Sequence, residues 1–140
     1  MNVSEIMTPH VTCISPDDNL LNAARWMKDA DTGALPVTSP DGEVLGMLTD
    51  RDIVVRVLAE GADLQSLHVG EVMTQNPITC RPDCPVDDAA STMRQRQIRR
   101  LIITEGHNRH VLGMLSLGDI AARAHERELV GQAEEGICRH

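Results

Sequence analysis

The sequence predicts an α+β protein made of two pseudo-symmetric β-α-β-β-α repeats. Three observations predict it. Glu5-Ile6-Met7-Thr8 returns as Glu71-Val72-Met73-Thr74, and Gly46-Met47-Leu48-Thr49-Asp50-Arg51-Asp52-Ile53 returns as Gly113-Met114-Leu115-Ser116-Leu117-Gly118-Asp119-Ile120. The chain has 140 residues, so each half holds about 60, a size at which a lone core is marginal and each copy must lean on its twin. Strand-like runs and helical spacings then follow one another in the same order in both halves.

The first repeat, residues 1–60, opens on a short helical turn over 3–7, stopped by Thr8-Pro9. Residues 11–14 read as a strand, and Ser15-Pro16-Asp17-Asp18 supplies turn and helix-start chemistry. From Asn19 a helix places Leu20, Ala23, Ala24 and Met27 on one face, and Gly33 can supply the positive φ that ends it. Strands over 34–38 and 43–48 form a hairpin around Ser39-Pro40-Asp41-Gly42. A helix over 50–60 follows and is expected to bury Ile53, Val54, Val57 and Leu58.

Residues 61–68 link to the second repeat, 69–130, which retraces the order. Val86, Ala89, Ala90 and Met93 occupy the equivalent helical face. Strands over 99–104 and 110–115 flank a turn at Glu105-Gly106-His107-Asn108 that is one residue longer than its counterpart, and a helix over 117–129 follows. Residues 131–140 read as a loosely held tail.

Thirteen basic against twenty-one acidic residues give a net charge of −8, which repels duplex nucleic acid and anionic lipid. There is no Phe or Tyr and a single Trp, Trp26, so the ring-stacking platforms of single-strand binders are absent. No apolar stretch approaches the ~20 residues of a membrane span. The opening residues are polar, not a signal peptide, and the expected compartment is the cytoplasm, with neither nucleic acid nor membrane as partner.

Cys13 and Cys80, as repeat equivalents on predicted strands, are expected to be buried small apolar residues. Cys80 and Cys84 bracket Pro82 and match a zinc knuckle poorly, and Cys138 lies near the chain end with His140; no metal site is expected. A metal or redox sensor built on Cys13, Cys80 and Cys84 with a histidine is the competing reading. The six histidines are scattered, and no nucleophile–base spacing, P-loop, H-E-x-x-H or dinucleotide fingerprint occurs. No catalytic residue, and no enzyme activity, is therefore expected.

The chemistry sits in the repeated G-h-h-[ST]-x-x-D pattern. Thr49 with Asp52, and Ser116 with Asp119, fall at strand-to-helix junctions. Each pair suits a capping box that contributes about 1 kcal/mol. Recurrence at the same structural point makes a second role competitive: a carboxylate there accepts hydrogen bonds from both hydroxyls of a ribose. Met47, Leu48, Met114 and Leu115 would give a base an apolar approach.

Together with Leu35-Pro36-Val37 and the E-h-M-T openings, this pattern resembles paired cystathionine-β-synthase (CBS) domains. The likeness is to the small stand-alone bacterial members, including the mycobacterial hypoxic-response type. It covers residues 3–129 and departs at Ile102, where the family's proline is missing, and at Leu117-Gly118.

The resemblance implies a regulatory module with two clefts that bind AMP, ADP, ATP or S-adenosylmethionine, without a required cofactor. Thr49 and Asp52 would hold the ribose of one site and Ser116 and Asp119 that of the other, with Gly46 and Pro36 in the same binding set. Phosphate contacts would come from Arg99 and Arg100, facing the Thr49/Asp52 site, while Gly33 and Ala34 offer the other site no charge and Arg51 could serve it instead. The Thr49/Asp52 site would then hold phosphorylated nucleotide more tightly. The competing role for Arg96, Arg99 and Arg100 is a solvated basic edge. A flat homodimeric disk and an unidentified regulated protein are the implied partners. The alternative is a structural or protein-interaction module with vestigial clefts, which Ile102 and Gly33-Ala34 favour.

Overall fold

Each half of the fold is completed by a strand borrowed from the other. The computed structural model describes residues 1–107 and 109–126. A 3-10 turn over Val3–Glu5 leads into β1 (Thr8–Pro9), α1 (Leu20–Ala30), β2 (Ala34–Thr38), β3 (Val44–Thr49) and α2 (Asp50–Ile53), which widens into a π-turn over Val54–Leu58. Then come α3 (Val69–Val72), β4 (Thr74–Gln75), β5 (Thr79–Cys80), α4 (Val86–Arg96), β6 (Arg100–Thr104) and β7 (Val111–Ser116). A last helix, α5, covers 117–126; the predicted end of that helix and the tail lie outside the described residues. No helix among the described residues is long and apolar enough to cross a membrane.

The sheets run β2-β3-β4 and β1-β7-β6-β5. β4 opens the second repeat yet pairs with β3, and β1 opens the first yet pairs with β7. Two glycines permit this. A Cβ on Gly46 would stand 2.7 Å from the Thr74 carbonyl oxygen, and one on Gly113 would stand 2.5 Å from that of Thr8. Only a bare Cα lets the borrowed strand come so close. Side chains cross over as well. Val3 is fully buried in the second core beside Leu101, Ile103 and Leu115, and Val69 and Val72 are buried in the first beside Leu35, Val37 and Leu48.

Helix α1 starts as its sequence predicts, with Asn19 Oδ1 accepting from the Asn22 amide at 2.8 Å and Leu20, Ala23 and Met27 buried. Its end differs from expectation. Asp31 at φ 52° takes the left-handed position, as Gln97 at φ 55° does after α4, and Gly33 does not. The short polar side chain of Asp31 tolerates that conformation. Gly33 serves close approach instead: a Cβ there would stand 2.6 Å from Asp50 Oδ2.

The strand expected over 11–14 does not form, and Pro36 explains why. In the second half the Ile102 amide donates to the Ile78 carbonyl at 3.3 Å, and β5 pairs in parallel with β6. Pro36, at the place of Ile102, has no amide proton to give. Only Ile14 bridges β2, through Val37. Ile14 thus stands where Cys80 stands opposite Ile103, one residue beyond the alignment of Cys13 with Cys80, and Cys13 is exposed where burial was expected.

The helix over 50–60 also departs from its predicted face. Ile53 and Val57 are buried, but Val54 is 53% and Leu58 54% exposed. The Ala59 amide bonds five residues back, to Val54 at 2.9 Å, and this wider turn rotates both side chains outward.

A third apolar cluster closes the seam between the halves: Ala34, Val44, Ile102 and Met114, with Val11 and Met47 packed on it. Strand alternation decides which residues reach it. Met47 and Met114 face the seam, whereas Leu48 and Leu115 point into their own cores. The two leucines therefore offer a ligand no surface. The hairpin tips meet above the seam, where Arg109 pairs with Glu43 at 3.2 Å and the His110 amide donates to the Gly42 carbonyl at 3.1 Å.

Candidate functional site

Both hydroxyl–carboxylate pairs cap their own helices. The Thr49 amide donates to Asp52 Oδ2 at 2.9 Å, and the Asp52 amide to Thr49 Oγ1 at 3.2 Å. The Ser116 amide donates to Asp119 Oδ2 at 2.8 Å, and the Asp119 amide to Ser116 Oγ at 3.0 Å. The carboxylates differ in their surroundings. Asp52 is only 9% exposed and lies under Arg56, whose Nε is 3.8 Å from Oδ1. Asp119 is half-buried and has no ion pair among the described residues.

Asp119 and Ser116 line a cleft of about 240 Å³ between the halves. The first half contributes Thr8, Val11, Asp31, Thr32 and Gly33, and the second contributes Arg100, Met114, Ser116 and Asp119. The cleft joins a larger cavity of about 550 Å³ that shares Arg100 and Ser116 and adds Arg99, Leu117 and Gly118. On its other side it shares Asp31, Thr32 and Gly33 with a cavity of about 460 Å³ that also holds Lys28 and Asp50. One end of the run is therefore basic, and the other carries two carboxylates and one ammonium.

Arg99 and Arg100 are not placed as the sequence suggests. Arg100 is the β-ladder partner of Ser116, and both arginines line a cavity with Ser116, not one with Thr49 and Asp52. Thr49 and Asp52 lie outside the cleft and both adjoining cavities. Arg51 is exposed. Gly46 packs against Met73 and Thr74 of the borrowed strand, and Pro36 shares the seam face of β2 with Ala34.

Sequence reasoning passed over Val11 and Thr32. The pattern marks Val11 only as part of a strand, yet it lines the cleft together with Met114. Thr32 precedes the uncharged Gly33-Ala34 and brings the hydroxyl those positions lack; its Oγ1 donates to the Ala34 carbonyl at 3.2 Å.

Cys80 and Cys84 lie side by side against the second core. Burial, with Cys84 adjacent, pushes the Cys80 thiol up to about 12. Among the described residues no group of three or more His, Cys, Asp or Glu side chains is placed to hold a metal ion.

Two interleaved β-α-β-β-α units sharing a cleft, each with a hydroxyl–carboxylate pair where its hairpin meets its helix, define a CBS pair. The CBS domain profile matches residues 3–59 and 69–126, and the chain belongs to this family. It is similar to the CBS domain-containing protein YhcV of Bacillus subtilis, 39% identical over 97% of this chain and 94% of that protein. Hypoxic response protein 1 of Mycobacterium tuberculosis is 33% identical over 96% of this chain and 92% of that protein. Among solved structures, Hypoxic Response Protein I with two coordinated zinc ions superposes with a TM-score of 0.76 at 32% identity, covering 87% of this chain and 98% of that one. The CBS domain pair of protein MJ0100, in complex with 5-methylthioadenosine and S-adenosyl-L-methionine, superposes with a TM-score of 0.82 at 24% identity, covering 91% of this chain and 98% of that one.

Proposed function

We propose that this chain is a regulatory module that takes an adenosine-containing nucleotide into the Ser116/Asp119 cleft, without catalysis or a cofactor of its own. One observation carries the reading. A carboxylate and a hydroxyl, two apolar side chains and an arginine converge on one cleft between the repeats. The base would lie against Val11 and Met114, and the ribose hydroxyls would donate to Asp119. Phosphates would run toward Arg100 and on to Arg99, whose planar forks suit them. That basic end favours AMP, ADP or ATP over S-adenosylmethionine, whose tail carries a sulfonium. The ligands of the MJ0100 pair belong to that protein; the likeness to it supports the fold, and the ligand reading rests on these side chains.

Regulation requires that the ligand prefer one of two conformations of the module, which a protein partner then reads. A homodimer is the proposed assembly, and a second copy would cover the exposed apolar side chains Val54, Val55, Leu58 and Leu117. Sedimentation velocity is expected to give a dimer; a chain that stays monomeric at a concentration of about 100 μM contradicts it. The cytoplasm is the proposed compartment.

A thermal-shift panel tests the ligand. At about 100 times its Kd a ligand stabilises the folded chain by about 2.7 kcal/mol, so AMP, ADP or ATP is expected to raise the melting temperature. Both capping boxes are closed by the chain's own amides, which favours the second reading, a protein-interaction module with unused clefts. No shift with any adenosine compound selects it.

A further inference from the structure

Arg56 and Arg123 stand in equivalent places, four residues after Asp52 and Asp119, but they do opposite things. Arg56 folds back over its acid. Its Nε lies 3.8 Å from Asp52 Oδ1, and its Nη1 donates to the Val72 carbonyl at 2.8 Å, at the end of α3. Oδ2 of the same carboxylate already accepts from the Thr49 amide. Both oxygens of Asp52 are thus faced by donors of the chain itself.

Arg123 turns away from its acid. Its Nη1 lies 3.4 Å from Glu126 Oε2. Ile6 is the repeat equivalent of Val72, and a cavity of about 240 Å³ opens there between Ile6, Asp119, Arg123 and Glu126. The sequence accounts for the difference: the counterpart of Glu126 is Ala59, which has no carboxylate to draw Arg56 off.

We propose that Arg56 is a built-in competitor that withholds Asp52 from a ribose, and that Glu126 keeps Asp119 open by holding Arg123 aside. The inference rests on the nucleotide reading and adds an order of filling: the Ser116/Asp119 side first, the Thr49/Asp52 side only when Arg56 is displaced. Arg56 acts through Asp52 and is a positioning residue. Displacing it gives up a charge-assisted hydrogen bond to a carbonyl as well as the ion pair. The arginine is half-exposed, so water offsets part of that loss.

Titration calorimetry of ADP into the full chain tests the order. The natural sequence is expected to show one tight event and a second that is weak or silent. Arg56→Ala should strengthen the second event by about tenfold and leave the first unchanged. Glu126→Ala should free Arg123 to cover Asp119 and weaken the first event by about fivefold. In Arg56→Ala combined with Asp119→Asn, the tight event should vanish while the second remains. A second event unaltered by Arg56→Ala, or a first event unaltered by Glu126→Ala, overturns the competitor and leaves the cleft reading standing. No heat from any of these proteins overturns both.

Discussion

Asp119→Asn is expected to weaken AMP or ADP binding by roughly 30- to 150-fold, about 2–3 kcal/mol, while leaving the fold almost untouched. The asymmetry between the two effects follows from the geometry. Asp119 Oδ2 accepts from the Ser116 amide at 2.8 Å, and the asparagine carbonyl can accept the same bond, so the start of α5 survives. The outer oxygen becomes an amide donor, and it would meet the ribose hydroxyls. The charge-assisted hydrogen bonds to the carboxylate are lost, and at best a neutral bond from the amide to a hydroxyl replaces them. Asp52→Asn is expected to cost severalfold less, because Arg56 already claims that carboxylate. Calorimetry of both variants, with urea denaturation as a folding control, reads the comparison. Equal small losses would mean that the acids serve their helices alone.

Gly113→Ala and Gly46→Ala are each expected to destabilise the chain by about 2–3 kcal/mol, a large effect for one methyl group. The added carbon would strike a backbone carbonyl at 2.5 Å in one case and 2.7 Å in the other, and a carbonyl held in a strand pair cannot swing aside as a side chain can. The strand displaced is the borrowed one, β1 or β4, so the loss falls on the joint between the halves. Val3 and Val69, buried just upstream of those strands, would lose their seats too. Gly118→Ala is the control. Its Cβ would meet only Ser116 Oγ at 3.5 Å, and inside a helix alanine is favoured over glycine by about 1 kcal/mol. Urea midpoints for the three variants should therefore move down, down and slightly up. Unchanged midpoints at both Gly46 and Gly113 would remove the close-approach account of the interleaved sheets.

The parts of this molecule that were legible in its sequence are those set by local pattern written twice. Both hairpins, the faces of α1 and α4 and both capping pairs follow from spacing that each half repeats. What sequence missed is decided by contacts between distant segments or by single-residue shifts. Whether residues 11–14 pair as a strand depends on an amide proton that Pro36 lacks and Ile102 has, on another element altogether. Val54 and Leu58 turn outward because one extra residue widens a helical turn, which periodicity at α-helical spacing does not register. Leu48 and Leu115 sit next to the two seam methionines in sequence, but alternation along a strand sends them to the opposite face. The side on which Arg99 and Arg100 lie depends on β6–β7 register, and that register puts Arg100 across from Ser116.

The crystal structure of the chain grown with saturating AMP tests the central claim most directly. The account predicts electron density in the cleft between the repeats, with the ribose hydroxyls on Asp119, the base against Val11 and Met114, and the phosphate toward Arg100. A cleft left empty at saturating AMP, or nucleotide seated on Asp52 while the Asp119 side stays vacant, would contradict it.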